Sequence, residues 1–407
     1  MHRPYLNPLR SLAATSWLSR DLLAFSFTSF FSNFCHEMST ALLPTFVQQF
    51  TGVAHAPLAL GIITGFADAA SSAMKLVSGW LSHHIINFKP FVVLGYFVIT
   101  LFVSLTGTAT YIWQVFIYQA LAWMGRGLRE PLRDVWLTNI SLPQYYGKVF
   151  GLERALDTLG AIAGPLVAFF TIQLFTMRFN YAIAFIPGII SVLIVLFFTS
   201  NYKAPSIERV NGSFMAHLRA LPNNFNYFVL VMFIFGISNF HKTLIMYRAQ
   251  EVFQAAGNST LIASSRAILL YVLFNVVRSF AELCSGSISD FINRKFIMSF
   301  GYALFSIVTL CMIFAKANML FWLVIFVSAG LSAGIITAVG KSYTAELLPI
   351  HVRGIGFGFL QSMDGVANLL ASIVIGALWS NLGHQIAFLY AFILSLLSSL
   401  LILLLKR

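Results

Sequence analysis

Long apolar runs joined by short polar connections divide this chain from end to end. The hydrocarbon core of a bilayer takes about 20 mostly apolar residues of helix. Runs that meet this fall near 22–49, 57–82, 90–108, 110–129, 147–175 and 180–200, then near 225–248, 262–289, 296–315, 319–346, 355–380 and 384–405. The pattern predicts twelve membrane-spanning helices, six on each side of the longest polar stretch. It divides the chain into an N-terminal six-helix bundle over 1–200, a cytoplasmic linker over 201–224 and a C-terminal six-helix bundle over 225–407. A short amphipathic helix is expected within the linker, around 214–221. The fold class expected is an all-α membrane protein built of two pseudo-symmetric bundles.

The two halves repeat one another. Gly79 and Ser82 recur as Gly286 and Ser289, and Phe150, Gly151 and Asp157 recur as Phe357, Gly358 and Asp364, each 207 residues later. With one residue deleted, Gly95-Tyr96 returns as Gly301-Tyr302. In an apolar chain, duplicated halves mark many secondary transporters, whose substrate site lies between the repeats.

Composition sharpens the class. Apolar residues make up 58% of the chain and charged ones 9%, against about 25% charged in an ordinary soluble domain. The net charge of +12 reads as a topological signal rather than a nucleic-acid surface, because Lys and Arg gather in the connections. With both termini cytoplasmic, the inside segments hold sixteen of these residues and the outside segments three, Arg178, Arg248 and Lys316. The remaining six lie within spans. Cys35, Cys284 and Cys311 sit in apolar runs without C-x-x-C spacing and read as packing residues. The first apolar run is long and no A-x-A-like site follows it, so it is expected to be a retained span.

Gly79-Trp-Leu-Ser-His-His-Ile-Ile-Asn-Phe-Lys89, joining spans 2 and 3, and Gly286-Ser-Ile-Ser-Asp-Phe-Ile-Asn-Arg-Lys295, joining spans 8 and 9, resemble the loop signature of the major facilitator superfamily. The first half is similar to a bacterial branch of mostly uncharacterised or multidrug-type transporters, through Glu37-Met38, Leu42-Leu-Pro44, the segment around Asp68, Lys75-Leu-Val-Ser-Gly79, Gly125-Arg-Gly-Leu-Arg129, Arg133-Asp134 and the run from Phe150 to Gly160. One departure is His83, where the signature has the Asp that Asp290 keeps. Gly160-x-x-x-Gly164-Pro165 is similar to part of an antiporter signature, although small residues at this spacing also let helices pack closely. The resemblance implies a transporter of the bacterial inner membrane with both termini cytoplasmic. It implies that span 2 packs beside span 11, span 5 beside span 8, and that spans 1 and 7 face each other across a pore.

Charges within spans are costly and usually face a partner or a wet cavity. Toward the cytoplasmic side these are Lys75, Arg154, Asp157, Arg278, Glu282 and Asp364, which with Asp290 are the candidate cytoplasmic gate. The expected pairs are Lys75 with Asp364, and Arg278 and Glu282 with Arg154 and Asp157. Near mid-membrane lie His36, Glu37, Asp68, His241 and Lys242, the candidate proton and substrate pathway, which Arg126 joins from span 4. Glu37 is the first candidate for proton coupling and Asp68 the second, with His241 or Lys242 as partner. Arg129, Glu130, Arg133 and Asp134 are expected to form a solvated or lipid-facing cluster.

The expected function is proton-coupled movement of a small amphipathic organic solute by alternating access of a monomer, with export favoured over uptake of a metabolite or siderophore-like solute. The expected partners are therefore that solute, protons and the lipid bilayer, without nucleic acid. No catalytic, cofactor or metal-binding pattern stands out. A membrane enzyme would need convergent nucleophile, acid or metal groups, whereas these clusters recur in both halves. A channel needs no such duplication, and a seven-span receptor has too few spans.

Overall fold

A computed structural model describes residues 18–82, 84–142, 145–201, 221–289, 291–349 and 356–405, with backbone only for 353–355. Every long element is a helix, as a lipid environment demands, since a helix satisfies its own backbone hydrogen bonds. The first, α1 (Arg20–Ser82), contains two spans: at Gly52 the backbone takes φ 71° and ψ 176°, and the chain doubles back. Glycine is the residue that adopts this φ without a steric penalty.

The first half continues with α2 (Lys89–Leu105), α3 (Ile112–Ile140), α4 (Tyr146–Thr171) and α5 (Met177–Phe198). The second half consists of α6 (Asn223–Gly236), α7 (Lys242–Ala255), α8 (Thr260–Ile288), α9 (Arg294–Ile313), α10 (Met319–Leu347), α11 (Arg353–Leu382) and α12 (His384–Leu403). Helices α6 and α7, 14 residues each, together make one crossing, so each half has six. Polar side chains set several starts: Thr176 caps α5, Ser259 caps α8, Asn293 caps α9 and Asn318 caps α10.

Eight described helices are long and apolar enough to cross a membrane by length and composition. Charge keeps α3 and α4 out of that group despite their 29 and 26 residues. The expected span 110–129 is thus too short. The helix runs on to Ile140 because its charged second half meets partners inside the protein. The span expected at 225–248 is broken at 237–241. Residues 202–220 of the expected linker, with nearly all of its expected amphipathic helix, lie outside the described residues, as do His83 and Asp290.

Within the first half, α1 packs on α3, α4 and α5, and α2 on α3 and α5. Within the second, α8 packs on α10, α9 on α10 and α12, and α6 on α11 and α12. The repeat survives in backbone contacts. A Cβ at Gly127 would lie 2.3 Å from the Ser71 carbonyl oxygen, and one at Gly334 would lie 2.5 Å from that of Arg278. Both partners of this second contact stand 207 residues beyond those of the first.

Two seams, the returning limb of α1 against α11 and α4 against α8, join the halves as the resemblance implied, and α1 also packs on α7. The first is close along its length. A Cβ at Gly61 would lie 2.0 Å from the Ser372 oxygen, at Gly65 3.1 Å from that of Leu369, and at Gly376 2.5 Å from that of Pro57. Gly160 and Gly164 serve packing inside the first half, since Cβ atoms there would lie 2.2 Å from the Phe30 oxygen and 2.5 Å from that of Phe34.

Candidate functional site

Arg20, Lys89, Lys148, Arg294 and Lys295 mark one end of the bundle, here the basic end. At the opposite end, α1 is stitched to the second half by uncharged side chains. Thr45 donates to Gln250 at 2.8 Å and lies 2.7 Å from the Ser264 hydroxyl. Gln48 donates to Gln254 at 2.9 Å and accepts from Gln250. Tyr247 donates to the Val53 carbonyl at 2.8 Å.

Beneath this layer lies a cavity of about 370 Å³, running from mid-membrane toward the basic end and lined by both halves. Its core is an ion pair between them. Lys242 Nζ lies 2.8 Å from Glu37 Oε1 and 3.1 Å from Oε2, and the Tyr271 hydroxyl donates to Oε2 at 2.5 Å. Glu37 comes from the outgoing limb of α1, Lys242 from the first turn of α7 and Tyr271 from α8. The break before α7 places Lys242: Asn239, Phe240 and His241 there all line the cavity. His241 caps the new helix by accepting from Thr243 N–H through Nδ1.

Trp123 forms one wall. It stands edge-on to His36 at 4.8 Å and to His241 at 6.3 Å between ring centroids, with the Arg126 guanidinium 5.3 Å from its ring. His36 is 5% exposed and sits next to Glu37 behind that wall.

Toward the basic end the paired charges form two groups. Arg154 reaches Asp157 at 3.4 Å within α4 and Glu282 at 3.3 Å on α8, while Arg278 holds Glu282 at 2.9 Å. These are the residues expected together, and Arg154–Glu282 crosses between the halves. Lys75 differs from expectation. Its Nζ lies 2.9 Å from Glu130, which also holds Arg126 at 2.7 Å. Asp364 instead accepts from Asn368 at 3.2 Å. Both α3, which carries Glu130, and α11, which carries Asp364, pack on the returning limb of α1, and the flexible lysine stem turns to the α3 side.

The span 4 cluster is also corrected. Arg129 is 3% exposed and donates to the Tyr96 hydroxyl at 3.0 Å, and Arg133 is 8% exposed and pairs with Glu153 at 2.6 Å. Of that cluster only Asp134 is half exposed. Arg248, expected in an outside segment, is buried in α7 with Glu251 at 2.6 Å. Trp123, Tyr271 and Glu130 were missed as site residues. Trp123 stands three residues before Arg126, and Glu130 four after it, spacings that share a helix face. Tyr271 carries no such signal. Among the described residues, no group of three or more His, Cys, Asp or Glu side chains is arranged to hold a metal ion, and the described cysteines are free.

Known proteins agree with this architecture. The family model of the Major Facilitator Superfamily matches residues 22–263 and 225–407. An uncharacterised MFS-type transporter of Methanocaldococcus jannaschii is 30% identical over 388 residues, 95% of each chain. An uncharacterised protein of Mycobacterium tuberculosis is 31% identical over 109 residues, 27% of each chain. Among solved structures, a variant of the nucleoside transporter NupG superposes with a TM-score of 0.77 at 12% identity, covering 95% of this chain and 100% of that one. A D-xylose-proton symporter does so with 0.74 at 14%, covering 96% and 98%. With its duplicated six-helix halves, its shared central cavity and these matches along its length, the chain belongs to the Major Facilitator Superfamily and is a multi-pass membrane transporter, not an enzyme.

Proposed function

We propose that this transporter is proton-coupled and exports a small amphipathic organic solute from the cytoplasm, working as a monomer by alternating access. The basic end is then cytoplasmic, together with both termini, in a bacterial inner membrane, since Lys and Arg are retained on that side. In this orientation the cavity opens toward the cytoplasm and the Gln48–Gln254 layer closes the outer side. The likeness of the first half to multidrug-type transporters favours export, and a cavity lined by Trp123, Phe240, Phe274 and Phe305 among charges suits an amphipathic solute.

The observation that carries the reading is the Glu37–Lys242 pair with its Tyr271 hydrogen bond, which ties one half to the other at mid-membrane. A proton on Glu37 cancels its attraction for Lys242, so protonation loosens a contact that only one orientation of the halves can make. Asp68 is the second carboxylate on the same path. At the cytoplasmic side, Arg154–Glu282 acts as a gate contact that strengthens as the halves close there.

The test is a tracer and growth screen in cells overproducing the wild type or Glu37→Gln, at two external pH values. Wild-type cells are expected to accumulate less of the exported solute, and more so at acid external pH, where the inward proton gradient is larger. Glu37→Gln cells should lose that pH dependence. Equal pH dependence in both rules out the coupling role, and greater accumulation in wild-type cells rules out export.

A further inference from the structure

Charges lining the cavity are matched with one exception. Glu37 has Lys242, Lys75 and Arg126 share Glu130, and Arg154 and Arg278 share Glu282, with Asp157 beside Arg154. Asp68 has neither a hydrogen bond nor an ion pair among the described residues. Lys242, Arg126 and Lys75 reach it only through longer-range attraction, each being engaged elsewhere.

The internal repeat shows what is missing. Asp68 stands 207 residues before Asn275, and Ala161 stands 207 before Asn368. On the α4–α8 seam, Asn275 Nδ2 donates to the Ala161 carbonyl at 3.1 Å, joining the halves through an N–H group. On the α1–α11 seam, the equivalent residues are Asp68 and Asn368, which both line the cavity. A carboxylate has no N–H to offer. Asn368 turns its amide N–H toward Asp364, on its own helix, and its carbonyl oxygen Oδ1 is buried without a partner. Close backbone approaches bracket this place, Gly65 against Leu369 on one side and Gly365 against the Ser72 side chain on the other. One seam is therefore joined by a hydrogen bond at this depth, whereas on the other no hydrogen bond links Asp68 to Asn368 across the cavity. A half-buried carboxylate with no partner is costly until a cation or a proton reaches it.

We propose that a protonated amine of the transported solute occupies this place, donating N–H to Asp68 across the α1–α11 seam, so that the solute class is small organic amines with an apolar body. The proposal rests on the transporter reading above. The ammonium supplies the N–H that Asn275 supplies at the other seam, and the apolar body lies along the wall formed by Trp123 and Phe240. Simple anions are disfavoured because the cavity's cations already hold carboxylates.

The experiment uses full-length protein in lipid nanodiscs and ligand-detected saturation-transfer NMR, with empty nanodiscs subtracted. The probes are benzylamine, benzoate and benzyl alcohol, which share a ring and differ in charge. Benzylamine is expected to bind best, and Asp68→Asn to weaken it about tenfold or more, the fold-change of a lost charge-assisted hydrogen bond. Asp68→Glu should retain most of the binding. A second readout guards against misfolding: Asp68→Asn recreates the amide of the twin seam, so its thermal unfolding temperature should match or exceed that of the wild type. Undiminished benzylamine binding by Asp68→Asn, preferential binding of benzoate or benzyl alcohol, or no binding of benzylamine overturns the solute class. If the halves still move when Glu37 is neutralised, that failure leaves the transporter reading intact.

Discussion

At the scale of single residues, the energetic weight falls on Glu37 and Lys242, whose side chains are 6% and 17% exposed. Removing one partner of a buried ion pair leaves an uncompensated charge, which costs about 3–5 kcal/mol, whereas removing both can be close to neutral. Lys242→Met is therefore expected to lower the thermal unfolding temperature sharply, and Glu37→Gln/Lys242→Met to recover most of the loss. A double variant no more stable than the single one contradicts this account of the pair. The sequence narrowed the partner of Glu37 to His241 or Lys242, because ionisable groups at mid-membrane are few and the repeat sets their depth, and the structure pairs it with Lys242. The partner of Lys75 was not. Sequence periodicity gives depth along a span, but not which of two carboxylates, Glu130 or Asp364, its flexible stem meets. Burial of Arg129 and Arg133 escaped the same reading, because it depends on Tyr96 and Glu153 from other helices.

At the scale of elements, the break in the seventh span and the glycine seam matter most. The crossing reads as continuous because Ile237, Ser238, Asn239, Phe240 and His241 contain neither Pro nor Gly, and only Gly236 precedes them. His241 shows itself as a helix cap only once Thr243 is seen donating to it. Discontinuous helices place ends and side chains at transporter binding sites, and here the break delivers Lys242. The glycine seam yields a direct comparison. Gly61→Ala drives a methyl into the Ser372 carbonyl, 2.0 Å from its ideal position, while Gly79→Ala meets nothing within 4 Å. Gly61→Ala is expected to destabilise by about 1–3 kcal/mol, the usual cost of overpacking, and Gly79→Ala to leave thermal unfolding unchanged. Similar effects of the two substitutions contradict a seam set by backbone contact.

At the scale of the whole molecule, two copies of one helical unit enclose a cavity that is sealed by neutral amides and hydroxyls at one end and met by charged pairs at the other. The duplication was legible from spacing alone, and the Gly127–Ser71 and Gly334–Arg278 contacts show it in three dimensions. The neutral layer was not, since Thr45, Gln48, Gln250 and Gln254 read as ordinary polar ends of spans until the halves are seen together. Two ends of opposite character suit a rocking motion in which one opens as the other closes. The most direct measurement is of spin-label distances at both ends, in a background whose native cysteines are replaced. One pair, at Gln49 and Ala256, reports the neutral end; the other, at Ala155 and Leu283, reports the basic end, all four sites being exposed. Glu37→Gln is predicted to lengthen the first distance and shorten the second relative to the wild type. Distances that stay fixed, or that change together in the same direction, contradict alternating access governed by the Glu37–Lys242 pair.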